Sequence, residues 1–426
     1  MAWFSAHKQA IDKNEIEALT LKSAEECLKR ICPQPKRVLL LPPDITRAHS
    51  GAGKITEILY FFFSEMADVF VMPTLGQHLP HTPEQNAWMF GRIPNEKILV
   101  HDWKQDGKRI GVISAKDVEE ITHGKAAWDI PISINKRVIE EPWDIIINIG
   151  HVVPHEVLGF ANHNKNYFIG LGGKETICAS HITAACCGIE NNLGRLVSPL
   201  RHCYNLAETR FLNHLPDVYI LLVMAYNKSR LVHTGFYCGD DQATYMEAAR
   251  QSQEQNVNIV PPLKKVVAVM QGDEFFSTWV ANKAIYRIRK AMADGGQLVI
   301  LAPGLKRFGE QQEVDAIIRK YGYAGTERIM ELWKENEDLK DLTHATAHLI
   351  HGSTEGRFSV TYAPGHLTKE EIESVNFNYI DYHRALELYP PDRLTNGFNL
   401  LKNGEEIYFI DTPSAGLWTT KDKSNS

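Results

Sequence analysis

The sequence predicts an α/β protein of two domains with mainly parallel sheets. Short apolar runs alternate with helical patterns along most of the chain, which is typical of parallel strands joined by helices. A chain of 426 residues with 44% hydrophobic residues is long enough for two cores. The alternation breaks at NVNIVPP (256–262) and then resumes. We therefore expect domains at 1–258 and 259–426, with the active site in the cleft between them. We allow for the last strand packing back on the first domain.

The elements of the first domain follow from its apolar periodicity. Strands are expected at 37–44 (RVLLLPPD), 68–76 (DVFVMPTLG), 96–103 (EKILVHDW) and 143–150 (WDIIINIG). Helices are expected at 54–67, 174–190 and 241–255, the last a polar helix suited to link the domains. Thr82 and Pro83 predict the N-cap and first turn of another helix. Two later strands are expected to join at Asn227-Lys228.

The second domain repeats the pattern. Strands are expected at 264–273, 296–304, 357–364 and 405–413. Helices are expected at 277–292, 310–322, 326–339 and 342–352. Thr368 and Glu371 have the spacing of a capping box, which predicts a helix start.

Composition excludes several classes of protein. A net charge of −6 leaves no basic surface for nucleic acid or an anionic membrane. No apolar run approaches a membrane span, and the first residues lack a signal-peptide pattern. Seven cysteines without regular spacing argue against a disulfide framework. We expect a cytoplasmic protein.

Polar clusters follow three of the predicted strands, where ligands bind in parallel sheets. Asp44 and Arg47 could form a charged hydrogen bond that presents the guanidinium to an anion, or simply cap a helix. His78 and His81 suit acid/base chemistry near neutral pH, or backbone hydrogen bonding in a loop. Both interpretations stay open for each cluster.

The stretch from His151 to His181 gathers more such residues. Gly172 and Gly173 precede a helix whose N-terminal N–H groups suit a phosphate, or they form only a tight turn. Lys165 is a candidate nucleophile, attachment point or solvated side chain. His181 is a candidate ligand or a core histidine. His151 and His155 have the spacing of a helical zinc pair, but Pro154 lies between them and argues against the helix.

Together, these residues resemble the nickel-dependent lactate racemase family. The family pattern has Asp-x-Thr-Arg after the first strand, Gly-x-His after the second, then Pro-His, a lysine ten residues on and a histidine sixteen further. Five elements match it in order: Asp44 to Arg47, Gly76 to His78, Pro154-His155, Lys165 and His181. SPLR (198–201), GFYCGDD (235–241) and a helix bearing Lys283 are further landmarks.

The resemblance implies a cofactor and roles. It implies a nickel-pincer nucleotide, a pyridinium-3-thioamide-5-thiocarboxylic acid mononucleotide, tethered to Lys165, with nickel completed by His181. His78 and His155 would be the acid and base on opposite faces of a 2-hydroxy acid, while the cofactor takes and returns the hydride at C2. Arg47 and Lys283 would hold the substrate, and Asp44 would orient Arg47. Asp44 and Arg47, with Gly172 and Gly173, would also bind the cofactor. Cofactor-maturation enzymes are the implied partners.

Departures from the family pattern bear on the substrate. Trp279-Val280 replaces the family's Tyr-Gln pair before the lysine, and FANHNK (160–165) replaces a Gly-rich approach. Asn162, His163 and Trp279 are therefore expected to contact a larger substrate. The variants resemble a branch acting on sugar acids such as gluconate and mannonate, which we favour over lactate. The alternatives are lactate, a non-catalytic relative, and, least favoured, an NAD-dependent oxidoreductase without its GxGxxG motif. Roles for His151, His344 and His348 and the oligomeric state are left without a prediction.

Overall fold

A computed structural model describes residues 1–227, 230–272 and 275–424. The chain divides into two compact units. Unit 1 comprises Met1–Cys187 and Asn192–Gln255, and unit 2 comprises Gly188–Asn191 and Asn256–Ser426. The long segments therefore divide after Gln255, where the sequence placed the boundary after residue 258.

Unit 1 contains a six-stranded sheet in the order β1-β10-β9-β6-β2-β3 and two small hairpins. Its strands are β1 (Phe4–Ile11), β2 (Arg37–Leu41), β3 (Asp68–Val71), β4 (Gly107–Ile113), β5 (Ile130–Asn135), β6 (Ile145–His151), β7 (Pro154–His155), β8 (Gly159–Phe160), β9 (Asp217–Asn227) and β10 (Arg230–Gly239). Strands β9, β6, β2 and β3 are parallel neighbours, and β10 and β1 extend the sheet in the antiparallel sense.

Helices cover the sheet of unit 1. They are α1 (Lys13–Arg30), α2 (Ala52–Ser64), α3 (Pro83–Phe90), α4 (Ala115–Thr122), α5 (Lys136–Glu140), α6 (Lys174–Cys187), α8 (Pro199–Phe211) and α9 (Gln242–Asn256). The short helix α7 (Ile189–Asn192) lies where the chain passes through unit 2.

Strand β2 shows why the sheet is buried on both faces. Val38 and Leu40 pack in a cluster with residues of α1 and α2. Leu39 and Leu41 point to the opposite face and pack in a cluster with residues of α6 and α8. Since successive side chains of a strand alternate between faces, an unbroken apolar run is the sequence expected of such a strand.

Unit 2 is built around a second six-stranded sheet, in the order β15-β14-β13-β12-β17-β16. Its strands are β11 (Val257–Ile259), β12 (Leu263–Val269), β13 (Met292–Ala302), β14 (Phe358–Pro364), β15 (Asn378–Tyr379), β16 (Gly397–Leu400), β17 (Glu406–Ile410) and β18 (Leu417–Thr419). Its helices are α10 (Thr278–Ala281), α11 (Lys283–Ile288), α12 (Gln312–Tyr321), α13 (Thr326–Glu335), α14 (Glu337–Asp341), α15 (Thr343–Gly352), α16 (Lys369–Ser374), α17 (Tyr382–Leu388) and α18 (Lys421–Ser424). Its pairings are parallel except for the antiparallel edge strand β16. The predicted fold class, mixed α/β with mainly parallel sheets, is confirmed.

Several elements agree with the sequence and others correct it. The capping residues Thr82 and Thr368 begin helices as predicted. The strand expected at 96–103 is wrong: the segment makes a 3-10 turn and an isolated bridge from Ile98 to Val71. The last predicted strand, at 405–413, is β17, which pairs with β12 and β16. Lys228 of the predicted turn lies outside the described residues.

Across the described ranges, no helix is long and apolar enough to cross a membrane.

Candidate functional site

The loops after β6, β2 and β3 meet at one edge of the unit 1 sheet, because these strands are parallel neighbours. Asp44 follows β2 and is buried. Burial alone would raise the pKa of its carboxyl, but His78, the Thr46 N–H and Lys165 together hold that pKa below its ordinary value. The structure therefore brings Asp44, His78 and Lys165 together.

Asp44 does not orient Arg47 as predicted. Its Oδ1 accepts the Thr46 N–H at 2.8 Å, which caps the 3-10 helix Ile45–Ser50. The Arg47 N–H donates to the Asp44 carbonyl at 3.0 Å. Within the described residues, no hydrogen bond or ion pair joins the Asp44 carboxylate to the Arg47 side chain, which is partly exposed. The helix-cap alternative explains the spacing, since a carboxylate before a helix is drawn to its free N–H groups.

The two histidines after β3 have different positions. His81 Nε2 accepts the Ile45 N–H at 2.9 Å, and its Nδ1 lies 3.1 Å from Asn86 Oδ1. These partners imply a neutral ring protonated at Nδ1. Burial also lowers the pKa of His81. His81 thus fastens the loop to the residue after Asp44, while His78 is the histidine that acts on the Asp44 carboxyl.

His155 lies in a tight hairpin formed by β7 and β8. Its Nδ1 accepts the N–H groups of Val157 and Leu158 at 3.2 and 3.4 Å. In the neutral ring the proton is then carried by Nε2. Nearby, the ring of His151 at the end of β6 makes an edge contact with His49, with centroids 5.9 Å apart.

Lys165 is distinguished by its exposure. From residue 157 to residue 173 every other side chain is buried, and Lys165 alone is partly exposed. It directly precedes a π-helical turn, Asn166–Gly170, a local conformation that is frequent at functional sites. The sequence interpretation of a solvated loop lysine does not fit this environment.

His181 lies on α6, partly buried. Its Nδ1 is 2.7 Å from the Ile177 carbonyl, so Nδ1 carries the proton and the Nε2 lone pair is the one suited to a metal. Burial lowers the pKa of the imidazole, and Lys165 lowers it further. Glu156, beside His155 in the chain, acts in the opposite direction.

Asn162 and His163, predicted to contact the substrate, make their contacts within the protein. Asn162 Oδ1 accepts the His163 N–H at 2.6 Å and the Asn166 side-chain amide at 3.3 Å. The His163 ring is fully buried between Tyr219 and Tyr245, with centroids 4.4 and 5.0 Å away. Burial lowers the pKa of His163 to about 4. Both side chains therefore organise the loop itself.

Gly172 and Gly173, predicted to lie in a phosphate-binding turn, make backbone hydrogen bonds within the protein. The Gly172 N–H donates to the Ile169 carbonyl at 3.4 Å, and the Gly173 N–H donates to the Ser133 carbonyl at 2.8 Å. The N–H groups of Gly172 and Gly173 are thus engaged within the protein. The tight-turn alternative accounts for these glycines.

Trp279 and Lys283 belong to unit 2. From residue 277 to residue 292 they are the two partly exposed side chains, and the rest are buried. The Trp279 ring packs on His348 and meets His344 edge-on, with centroids 4.5 and 5.8 Å away. His348 is hydrogen-bonded on both ring nitrogens, to Tyr286 at 2.8 Å and to Tyr323 at 2.9 Å. His344 and His348 therefore support the helix that carries Trp279.

The residues present fit a metal whose ligands come mostly from a cofactor. In the part of the chain that the structure describes, no group of three or more His, Cys, Asp or Glu side chains is arranged to hold a metal ion. A single imidazole, His181, with its tautomer set by a backbone carbonyl, suits a centre whose other donors come from a cofactor.

Sequence reasoning missed Glu156 and Arg201. Glu156 directly follows His155, and this adjacency is the signal that could have found it. Arg201 was noted only within the SPLR landmark, although a fully buried arginine always needs several hydrogen-bond acceptors.

Part of the chain matches a known protein family. Residues 5–191 match the pattern of the lactate racemase N-terminal domain family, and this span contains the predicted residues from Asp44 to His181. No curated protein matches the sequence.

Two solved structures share the fold. A protein from Thermotoga maritima has a TM-score of 0.82 at 24% identity, covering 97% of this chain and 100% of its own. The lactate racemase apoprotein from Thermoanaerobacterium thermosaccharolyticum has a TM-score of 0.69 at 14% identity, covering 97% of this chain and 94% of its own.

Proposed function

We propose that the protein is a racemase or epimerase that inverts C2 of a 2-hydroxy acid with a nickel-pincer nucleotide tethered to Lys165. The observation that carries this proposal is the environment of Lys165. It is the partly exposed residue of a buried stretch, and it lies within electrostatic reach of both Asp44 and His181. The match of residues 5–191 to lactate racemase N-terminal domains supports the same reaction class.

In this proposal His181 supplies one ligand to nickel through Nε2, and the nucleotide supplies the others. When bound, the group provides a centre that accepts a hydride from C2 of the substrate and returns it. The Ile177 carbonyl holds the ring in the tautomer that leaves Nε2 unprotonated, so the protein prepares the ligand before the metal binds.

The two remaining histidines move the hydroxyl proton. Inversion needs one acid/base group on each face of the substrate, because a single group cannot reach both. His78 lies within electrostatic reach of Asp44 and lowers the pKa of its carboxyl. His155 carries its proton on Nε2 because its Nδ1 accepts two N–H groups. The contacts of Arg47, Lys283 and Trp279 with the substrate stay predictions.

The substrate within this class has two candidates, a sugar acid such as gluconate or mannonate and a short acid such as lactate. The replacement of Tyr-Gln by Trp279-Val280 favours the sugar acid. The burial of Asn162 and His163 removes one argument for it, because these side chains are occupied within the loop. Assays on gluconate and on lactate with the loaded protein decide between the two.

The tether is tested by intact mass and nickel analysis of protein co-produced with cofactor-maturation enzymes. We expect an adduct of mononucleotide size that is absent from Lys165→Ala and present in the control Lys174→Ala, which changes an exposed lysine at the start of α6. Wild-type protein that gains no adduct under these conditions refutes the proposal. His181→Ala should keep the adduct and lose nickel.

The hydride step is tested with a substrate deuterated at C2. The inverted product should retain the label, and washout into solvent would instead indicate a carbanion. His78→Gln and His155→Gln should each slow inversion by roughly 10²–10⁴-fold, the usual contribution of a general acid or base, with nickel retained. Nickel loss in either variant contradicts these roles.

A further inference from the structure

We propose that Arg201 is the positioning residue for Lys165, and that its guanidinium holds the loop at 160–164 in the conformation that presents the lysine. The importance of presenting Lys165 rests on the proposed function. The placement of the loop rests on contacts within unit 1 alone.

The loop has a backbone that needs support. Asn162 and His163 are consecutive non-glycine residues with positive φ angles, 73° and 59°. L-residues disfavour this left-handed region, and two in succession persist only where surrounding contacts hold them. Asn162 supplies part of that support through its bond to the His163 N–H.

Arg201 supplies further contacts that hold this backbone conformation. Its Nη2 donates to the Phe160 carbonyl at 2.6 Å, and both Nη atoms lie 3.3 Å from the Asn162 carbonyl. Nη1 also donates to Asn164 Oδ1. The side chain is fully buried, with its guanidinium carbon 4.5 Å from the centre of the Tyr245 ring. One planar fork thus binds acceptors on both sides of the left-handed pair.

Arg201 acts as part of one helical face. Arg201, Asn205 and Glu208 are spaced by four and three residues on α8, so they lie on the same side of the helix. The Asn164 side-chain amide donates to Asn205 Oδ1 at 2.8 Å and to Glu208 Oε2 at 2.9 Å. Asn164 is therefore held by all three residues, and Lys165 is the next residue in the chain.

The position of Lys165 follows from this arrangement. Asn164 is fixed in the interior, and the turn that begins at Asn166 is buried as well. The chain between them has one residue, whose side chain must leave the interior at that point. Arg201 determines where it leaves, and so places the amine within electrostatic reach of Asp44 and His181.

The test is the reactivity of the Lys165 amine in cofactor-free protein. Wild type and Arg201→Lys are pulsed with acetic anhydride over a range of pH, and acetylation of each lysine is measured by mass spectrometry. The variant keeps the charge but lacks the fork. Lys165 should react roughly tenfold faster, the factor expected when one charge-assisted hydrogen bond no longer opposes opening of the loop. Its pH profile should approach that of Lys29, an exposed lysine.

Arg210→Lys is the matched control. It lies on the same helix, is exposed and pairs with Asp117 on the surface, so Lys165 should react as in wild type. Unchanged rate and pH profile of Lys165 in folded Arg201→Lys overturn the inference, even if the variant melts earlier, because that pattern indicates a merely structural role.

A milder variant covers the case in which Arg201→Lys does not fold. Asn164→Ala removes one acceptor of the guanidinium together with the amide hydrogen bonds to Asn205 and Glu208, and leaves the Arg201 contacts with Phe160 and Asn162. It should change Lys165 reactivity in the same direction; no change overturns the inference. Because the assay needs no cofactor, a wild-type protein that gains no adduct refutes the proposed function and leaves this inference standing. Unchanged acetylation refutes the inference and leaves the proposed function standing.

Discussion

The loop at 160–165 and the turn at 170–173 lie in one buried stretch but have different backbone conformations. The loop at 160–165 turns through the left-handed region at Asn162 and His163, without a glycine there. The turn at 170–173 has three glycines, and none of them has a positive φ angle. The first loop is held by side-chain hydrogen bonds, and the second lets backbone segments approach closely. The glycines at 170–173 allow close packing of the backbone. The strained polar residues Asn162 and His163 instead precede the candidate tether, Lys165.

The glycine turn is crowded on every side. A Cβ on Gly172 would stand 2.1 Å from the Phe168 carbonyl oxygen, and one on Gly173 would stand 2.5 Å from Ser133 Oγ. The carbonyl of Gly172 lies 3.2 Å from His101 Nε2. These contacts explain the glycines without a bound ligand. Substitutions in this turn can be compared with substitutions in the loop at 160–165.

The largest effect is expected for Gly172→Ala. The new methyl group must displace backbone atoms. The free energy of unfolding should therefore fall by about 3 kcal/mol, which is the upper end of the cost of overpacking. Urea unfolding of both proteins measures the difference. Gly173→Ala should cost less because Ser133 can move. A Gly172→Ala variant as stable as wild type would show that the turn is not packed for closeness, and the comparison would fail.

The second effect is a dependence on pH that comes from His163. Its pKa is about 4 in the folded protein and about 6.5 when unfolded, so the unfolded state binds the proton more readily between these values. Its contribution to stability is present above pH 6.5 and is lost as pH falls toward 4. Wild type should lose roughly 2 kcal/mol more than His163→Asn between pH 7.5 and pH 5.

The comparison of wild type with His163→Asn is necessary because another buried group also makes stability depend on pH. Burial raises the pKa of Asp217 to about 8, so Asp217 stabilises the folded state increasingly as pH falls. That opposite trend is common to wild type and His163→Asn and cancels in the difference. Parallel pH curves for the two proteins would show that His163 is not held neutral in the folded loop.

The smallest effect isolates the left-handed backbone. Asn162→Gly and Asn162→Ala both remove the side-chain amide, but only alanine retains the strain of a positive φ angle. Asn162→Ala should be less stable than Asn162→Gly by about 1 kcal/mol. Thermal unfolding of the pair gives the difference directly. Equal stabilities would mean that the loop relaxes once the amide is gone, and that the conformation is not held from outside.

Local pattern was sufficient for most elements. The apolar runs of β2, β6 and β12 and the capping residues Thr82 and Thr368 act over a few neighbours, so the sequence shows them. EKILVHDW at 96–103 failed because an apolar run becomes a strand only where a partner edge accepts it. That segment has one bridge, at Ile98.

The candidate site divides in the same way. The spacing of His155, Lys165 and His181 can be read from the chain, and so can the turn signals around them. The interpretation of Asp44 with Arg47 failed because an N–H two residues away was the better hydrogen-bond partner. The surroundings of His163 could not be read from the sequence because its partners, Tyr219 and Tyr245, are distant along the chain.

By itself, the sequence determined the α/β class, the helix starts and the order of the polar residues that end the strands. Only the tertiary structure decided which of those residues lie close together and which make contacts that hold a loop. Periodicity and capping depend on neighbours three or four residues apart. A buried guanidinium such as Arg201 instead selects its acceptors by distance in space, 41 residues away at Phe160.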